Sequence, residues 1–433
     1  MRDIALTLFI VAGLLIALRV PFVGMLMWVW VALMNPHQET YGFASTFPWN
    51  LIIAIVTIGS WLLSRERKMP RGALTTTLML TLLAWTTLNT FFAFDPPFSW
   101  HYWDLAWKTI AMCVLAGTLA VNRNRFHALV WIITISLAYY GIKGGLFTLF
   151  TGGHNRVLGP PESMLSDNNE MGDALVMTLP FLNYLRLHSG ARLVRIALVI
   201  GMVLTVTAIF GTYSREAYIA LAALMTAYWI QSARKITYPI VAVAVIIPLL
   251  LFMPRSFYER AESIGQYGTD ASFQARLDSW WVAYRYAMDN APFGAGFYGL
   301  NLQGVWDRYL PGEMHAAHSI YFQALGEQGI VGLVLYLLVL AIGFRNMQRV
   351  RRDARGSQEL LWAENLAGAM QLSLLAFCVG GAAAPMAFFD LPFLLISLSA
   401  ALLVTLEPKT GLRPFSIPRR LGSRREVLSH TGP

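Results

Sequence analysis

The sequence predicts an all-α polytopic membrane protein with about twelve transmembrane helices and one large outward loop that carries helices of its own. Three observations predict it. The chain is 56% hydrophobic and only 13% charged over 433 residues, whereas a soluble domain is about 25% charged. Apolar stretches of about 18 residues or more recur along the whole length, each long enough to cross a hydrocarbon core of roughly 30 Å. No succession of alternating segments of about ten residues occurs, which excludes an outer-membrane barrel. The net charge of +9 does not point to nucleic acid, because in such a chain the placement of Lys and Arg matters more than their total. Cys113 and Cys378 fall inside apolar segments and read as small packing residues.

In chain order, spans are expected at 3–18, 20–34, 48–64, 72–94, 104–121, 126–149, 168–186, 193–210, 214–232, 236–253, 319–344, 358–380 and 387–406. The first two are short and separated only around Arg19 and Pro21, so they read as one broken helix or a shallow pair. Arg2 and the apolar run after it resemble a signal peptide. No clean small-residue cleavage site follows, and the segment reads as retained.

Charge sets the orientation. Six connections hold 22 of the 33 Lys and Arg residues: Arg65–Arg71, Arg123 and Arg125, Arg186–Arg195, Arg234 and Lys235, Arg345–Arg355, and the tail from Lys409 to Arg425. They alternate with connections poor in Lys and Arg, as the positive-inside rule demands. The tail is therefore expected in the cytoplasm. A cytoplasmic N-terminus follows from even span parity and favours twelve spans over thirteen. One integrated membrane domain results: an N-terminal bundle over 1–253, a large periplasmic loop over 254–318, C-terminal helices over 319–407 and a basic cytoplasmic tail over 408–433.

The 254–318 connection is far longer than connections usually are, so a functional role is expected there. From Asp270, a candidate N-cap, Leu277, Trp280, Trp281, Tyr284 and Met288 recur at helical spacing. Their aromatic character suits a helix lying in the membrane interface. GAGFYG at 294–299 matches GxGxxG in letters. No strand precedes it and no βαβ unit surrounds it, so the glycines read as a turn and not as a dinucleotide site.

Few basic residues face outward. Arg255 and Arg285 each have an acid four residues on and read as solvated helix pairs. Arg276 and Arg215 have no acid three or four residues away. Arg215 also follows Ser214, a candidate cap, at the start of a span, where a cation opposes the helix dipole unless an anion is held there. Arg276 reads either as an anion ligand or as an interfacial arginine reaching lipid headgroups. Arg156, in the Gly- and Pro-rich stretch TGGHNRVLGPPES, is either a ligand clamp or a solvated loop residue. Lys143 lies within a span and is either functional or snorkelling.

His315 and His318 stand just before a span. As a metal pair they would need a remote third ligand, and neither HExxH nor a Cys cluster occurs. The alternatives are a general base beside an electropositive pocket, for which His318 at the mouth of the span is better placed, and a histidine bonding backbone. Glu327 follows nine residues later and either pairs inside the bundle or contacts the pocket, with His315 as a further supporting residue. Gly329 and Gly332 permit close helix approach.

Three stretches carry a resemblance: Ser214-Arg215 at a span start, RLDSWWVAYRYAMDNAPFGAGFYG, and HSIYFQALGEQGIVGL. The chain resembles the O-antigen ligase and O-antigen polymerase superfamily over most of its length. It departs at Ser319, where the family usually has Asn after the histidine. MNPHQETYGF is also similar to ligase-like proteins of exosortase-type export systems.

The resemblance implies a metal-independent, inverting glycosyltransferase of the GT-C type in a Gram-negative inner membrane, with no cofactor. Its donor would be a glycan on undecaprenyl diphosphate and its acceptor lipid A–core, completing lipopolysaccharide at the periplasmic face. It implies Arg215 and Arg276 on the diphosphate, with Arg156 and Lys143 assisting, and His318 as the base. A polymerase or a protein O-oligosaccharyltransferase would use the same donor. A transporter of lipid-linked sugar would need polar groups or broken helices at the midplane, whereas the polar set here gathers at the outer ends.

Overall fold

The computed structural model describes residues 1–64, 72–232, 235–255, 257–258 and 271–410. Among them it contains helices and turns and no strand. The long helices are α1 (Arg2–Ala17), α2 (Pro21–Met34), α3 (Trp49–Leu63), α4 (Ala73–Phe91), α5 (Pro96–Leu119), α6 (Arg123–Phe150) and α7 (Asn168–His188). They continue with α8 (Arg192–Gly211), α9 (Arg215–Gln231), α10 (Thr237–Phe252), α11 (Ala271–Asp289), α12 (Ile320–Ala354), α13 (Leu361–Gly380) and α14 (Asp390–Thr410). A helix stands at each expected span. The basic cluster Arg65–Arg71, the expected cap Asp270 and the tail beyond 410 lie outside the described residues.

By length and composition, four helices among the described residues are long and apolar enough to cross a membrane: Arg123–Phe150, Arg192–Gly211, Ile320–Ala354 and the stretch Leu361–Ala383. Pro21–Met34, Trp49–Leu63, Ala242–Phe252 and Asp390–Leu406 are apolar but shorter. On this measure the expected twelve spans are not reached. Part of the reason is burial. α7 lies inside the bundle along nearly its whole length, with Glu170, Asp173 and Thr178 buried among its neighbours. A helix enclosed by protein tolerates polar groups that a lipid-facing one does not.

The first two helices form an antiparallel hairpin. Phe9 packs edge-on against Trp30 at 5.2 Å, and Gly13 lies against Met27 as Ala17 lies against Gly24. The Asp3 carboxylate then accepts from the Gly42 and Ala44 amides at 3.0 and 3.2 Å. The N-terminus therefore sits on the same side as the 35–47 connection. The expectation had placed the two on opposite sides; the structure brings them together and resolves the first two segments as a pair of helices. Charge placement missed it because Asp3 answers to two backbone amides far along the chain, which no count of basic residues records.

α5 starts at Pro96, earlier than the expected 104, because Asp95 caps it by accepting from the Phe98 amide at 3.1 Å and Pro96 suits the first helical position. At the other end of the bundle Arg351 ties α12 to α13 and α9 through Gln371 (2.6 Å) and Gln231 (2.7 Å).

α12 is broken. Gly329 has φ 72° and ψ −176°, outside helical geometry. The backbone groups freed there are met by the 293–297 turn and α4. Gly326 and Glu327 carbonyls accept from the Ala295 and Gly296 amides at 2.8 and 2.9 Å. Asn89 and Trp85 donate to the Glu327 and Gln328 carbonyls, each at 2.8 Å, and Asn89 Oδ1 accepts from the Gly294 amide at 2.8 Å. This is how buried irregular backbone is kept satisfied, and it gives the GAGFYG glycines their role as a turn. A Cβ on Gly329 would lie 2.1 Å from the Pro292 carbonyl oxygen, in a backbone region that is essentially glycine-only. Gly329→Ala is expected to destabilise the protein by more than about 2 kcal/mol, read as a lowered midpoint in thermal unfolding.

The large connection has its own small core. Val282, Ala283 and Tyr286 of α11 pack with Ala295, Leu300, Val305, Trp306 and Ala317. The opposite face of α11 leaves Leu277, Trp281, Tyr284 and Met288 exposed, as an interfacial helix would. Trp280 differs from them and stacks on Phe322 of α12 with ring centroids 5.0 Å apart.

Candidate active site

Four chain segments meet at the end of the bundle opposite Arg351. Ser214 caps α9 by accepting from the Ala217 amide at 3.2 Å, which fixes Arg215 and Glu216 in its first turn. The loop before α7 is tied to the same corner. Val157 donates to the Gly211 carbonyl at 2.8 Å, and Asn168 donates to the Thr212 carbonyl at 2.9 Å. α11 is held against the segment before α12 by Ser279, whose hydroxyl lies 3.3 Å from the Ala317 carbonyl oxygen. Ser319 then caps α12 through the Tyr321 amide at 3.3 Å. The serine that replaces the family's usual Asn thus has a structural task.

At this junction Arg276 forms an ion pair with Glu216. The carboxylate is 4% exposed and the guanidinium group's side chain 13%. Glu216 also accepts from the Ser214 hydroxyl at 3.1 Å. The expectation of an arginine without an acid holds along its own helix only; the partner comes from α9. Glu216 is the functional candidate that the sequence reading missed, because local spacing cannot show a pair between residues far apart in sequence. The pair leaves one donor over: Arg276 Nε is buried and has no hydrogen-bond partner among the described residues. Arg215 is half-buried and engaged by neighbours of its own.

His318 follows on the same side. Its Nδ1 is buried without a partner among the described residues, and its φ of 41° is one that non-glycine residues seldom adopt. Burial, and next the Arg276 charge, push its proton affinity below the usual histidine value, while Glu216 and Asp167 pull it back up. The imidazole is therefore held neutral near neutral pH. Tyr213, just before the Ser214 cap, has a φ of 59° and is strained in the same way, and such strain gathers at functional sites. His315 is apart from the pair and packs edge-on against Trp306 at 5.6 Å.

The remaining expected residues are placed differently. Arg156 is exposed, in the loop that Val157 anchors to Gly211. Lys143 is not brought to the arginines; its ammonium sits 2.8 Å from Glu39, beside the 35–47 turn. Glu327 is buried at the α12 break, where Gln323 donates to it at 3.4 Å. Arg285 pairs loosely with Asp289 at 4.0 Å, as expected. Arg308 lies over the Phe94 ring at 4.7 Å. Among the described residues no three His, Cys, Asp or Glu side chains gather as a metal site.

Two family models match the chain. Residues 1–190 match a family of unknown function (DUF5935), and residues 200–337 match the O-antigen ligase family. No curated protein matches. The ligase match contains Arg215, Glu216, Arg276, His315, His318 and Glu327, whereas Arg156 and Lys143 fall in the other. The α9, α11 and α12 residues of the junction thus lie within residues 200–337, the part of the chain that is similar to the O-antigen ligase family.

Proposed function

We propose that the protein transfers a glycan from undecaprenyl diphosphate to lipid A–core at the periplasmic face of the inner membrane, completing lipopolysaccharide without a metal. The observation that supports this most is the pairing of a buried cation that has a donor to spare with a neutral histidine beside it. Arg276, fixed by Glu216, keeps its Nε–H for a phosphate oxygen, and an unmet buried donor gains most from such an acceptor. Arg215 lies one residue from Glu216 and adds a second guanidinium, with the exposed Arg156 on the loop beside it.

The chemistry needs little else. A lipid diphosphate leaves readily, taking the electron pair of the glycosidic C–O bond, and guanidinium groups stabilise the charge that develops on it. The acceptor hydroxyl attacks the anomeric carbon from the opposite side, which inverts the configuration. Its proton passes to the neutral imidazole of His318. Glu327 and His315, which flank His318 in the chain, are assigned supporting roles.

Purified protein mixed with undecaprenyl diphosphate-linked glycan, lipid A–core and EDTA is expected to move glycan onto lipid A–core, read as a mobility shift on a gel. A ladder growing on the lipid carrier with lipid A–core untouched would instead establish a polymerase. Activity that EDTA abolishes and magnesium restores would overturn the metal-free reading.

A further inference from the structure

Lys143, left out of the arginine site, lines a groove of its own. The groove runs between α1, the 36–41 turn and α6, has a volume of about 650 Å³ and is lined by Arg2, Ala5, Glu39, Tyr41, Tyr139 and Lys143 among others. That is within the size range of binding sites. Its charges are arranged around Glu39. The carboxylate takes Lys143 at 2.8 Å, while the Glu39 backbone carbonyl only weakly engages Arg2 at 3.5 Å. Arg2 lies over the Tyr41 ring at 5.7 Å and Lys143 over the Tyr139 ring at 5.6 Å. Two cations against one carboxylate leave the groove with one net positive charge, and most of the guanidinium's donors remain available.

Apolar stripes descend from both cations. Below Arg2 on α1 stand Ala5, Phe9, Ala12 and Ile16, all exposed and at the three- and four-residue spacing of one helix face. Below Lys143 on α6 stand Tyr139 and Ile135, also exposed. A polar head site with two separate apolar tracks beneath it matches a lipid with one headgroup and two acyl chains. It does not match a soluble sugar or a single polyprenyl chain.

We infer that this groove binds a two-chain phospholipid with a singly negative phosphodiester and a hydroxylated headgroup, of the phosphatidylglycerol kind. The phosphate would lie between Arg2 and Lys143, the headgroup hydroxyls would donate to Glu39, and the acyl chains would follow the two stripes. The net charge selects this headgroup over a zwitterionic one. The groove lies within residues 1–190, outside the ligase match, so the inference does not rest on the transfer reaction.

The test is native mass spectrometry of the full chain in mild detergent, titrated with phosphatidylglycerol and, separately, with phosphatidylethanolamine of the same acyl chains. The wild type is expected to retain one phosphatidylglycerol in preference to phosphatidylethanolamine. Arg2→Ala and Lys143→Ala should each weaken that retention about ten-fold, and Glu39→Gln should strengthen it, with helicity by circular dichroism unchanged. Equal binding of the two lipids would overturn the inference. So would unchanged phosphatidylglycerol retention in both cation variants, or weakened retention in Glu39→Gln.

Discussion

His318→Ala is expected to lower transfer roughly 10²- to 10⁴-fold, the share that a positioned general base supplies, while donor binding persists. The two effects separate because the proposed diphosphate ligands belong to α9 and α11 and not to the histidine. The pH profile gives a second reading. Burial and the Arg276 charge lower the His318 pKa from 6.5, so the neutral, base-competent form persists below that pH. The acid limb of the wild-type rate should therefore fall below pH 6.5, and loss of rate on acidification should track protonation of this one group. In the alanine variant that limb should vanish from the residual rate. Near-full turnover by His318→Ala would remove the base assignment.

Arg276→Ala is expected to cost both stability and transfer. It strands Glu216, a carboxylate almost fully enclosed, and removing one partner of a buried pair costs about 3–5 kcal/mol. Loss of activity in this variant alone would be ambiguous, since a destabilised protein also loses activity. The pair supplies the control. Arg276→Met combined with Glu216→Leu removes both charges and fills the space with apolar side chains, a replacement that is often neutral or stabilising. Thermal unfolding should recover most of the loss in the double variant, whereas transfer should stay lost. Transfer that returned along with stability would show that Arg276 serves the fold and not the substrate.

Much of the architecture is legible in the sequence because long apolar runs and basic connections are local signals. Helices stand where the hydropathy places them, and Ser214 caps α9 as its position suggests. What escapes are features decided by partners distant in the chain. Asp3 turns the first two segments into a hairpin by reaching the amides of Gly42 and Ala44. Glu216 looks idle beside Arg215, yet it crosses to Arg276 on another helix. Lys143 reads from its depth as functional or snorkelling, and its partner, Glu39, comes from a connection about a hundred residues away in the chain. The break at Gly329 was visible only as a small residue, because the groups that satisfy it come from Asn89, Trp85 and the 293–297 turn.

The N-terminal hairpin has a consequence for the lipid around it. α1 and α2 have 16 and 14 residues, which at 1.5 Å per residue makes them about 24 and 21 Å long. Hydrocarbon of roughly 30 Å thickness is too deep for them, and a bilayer meets a short apolar pair by thinning beside it. A headgroup plane that dips along that flank is the expected result. Lys143 stands seven residues inside the end of α6 at Phe150, about 10 Å below it, a depth that would bury its charge beside an ordinary stretch of membrane. Where the bilayer is pinched, phosphates come down to the lysine, and the charge need not climb to reach them.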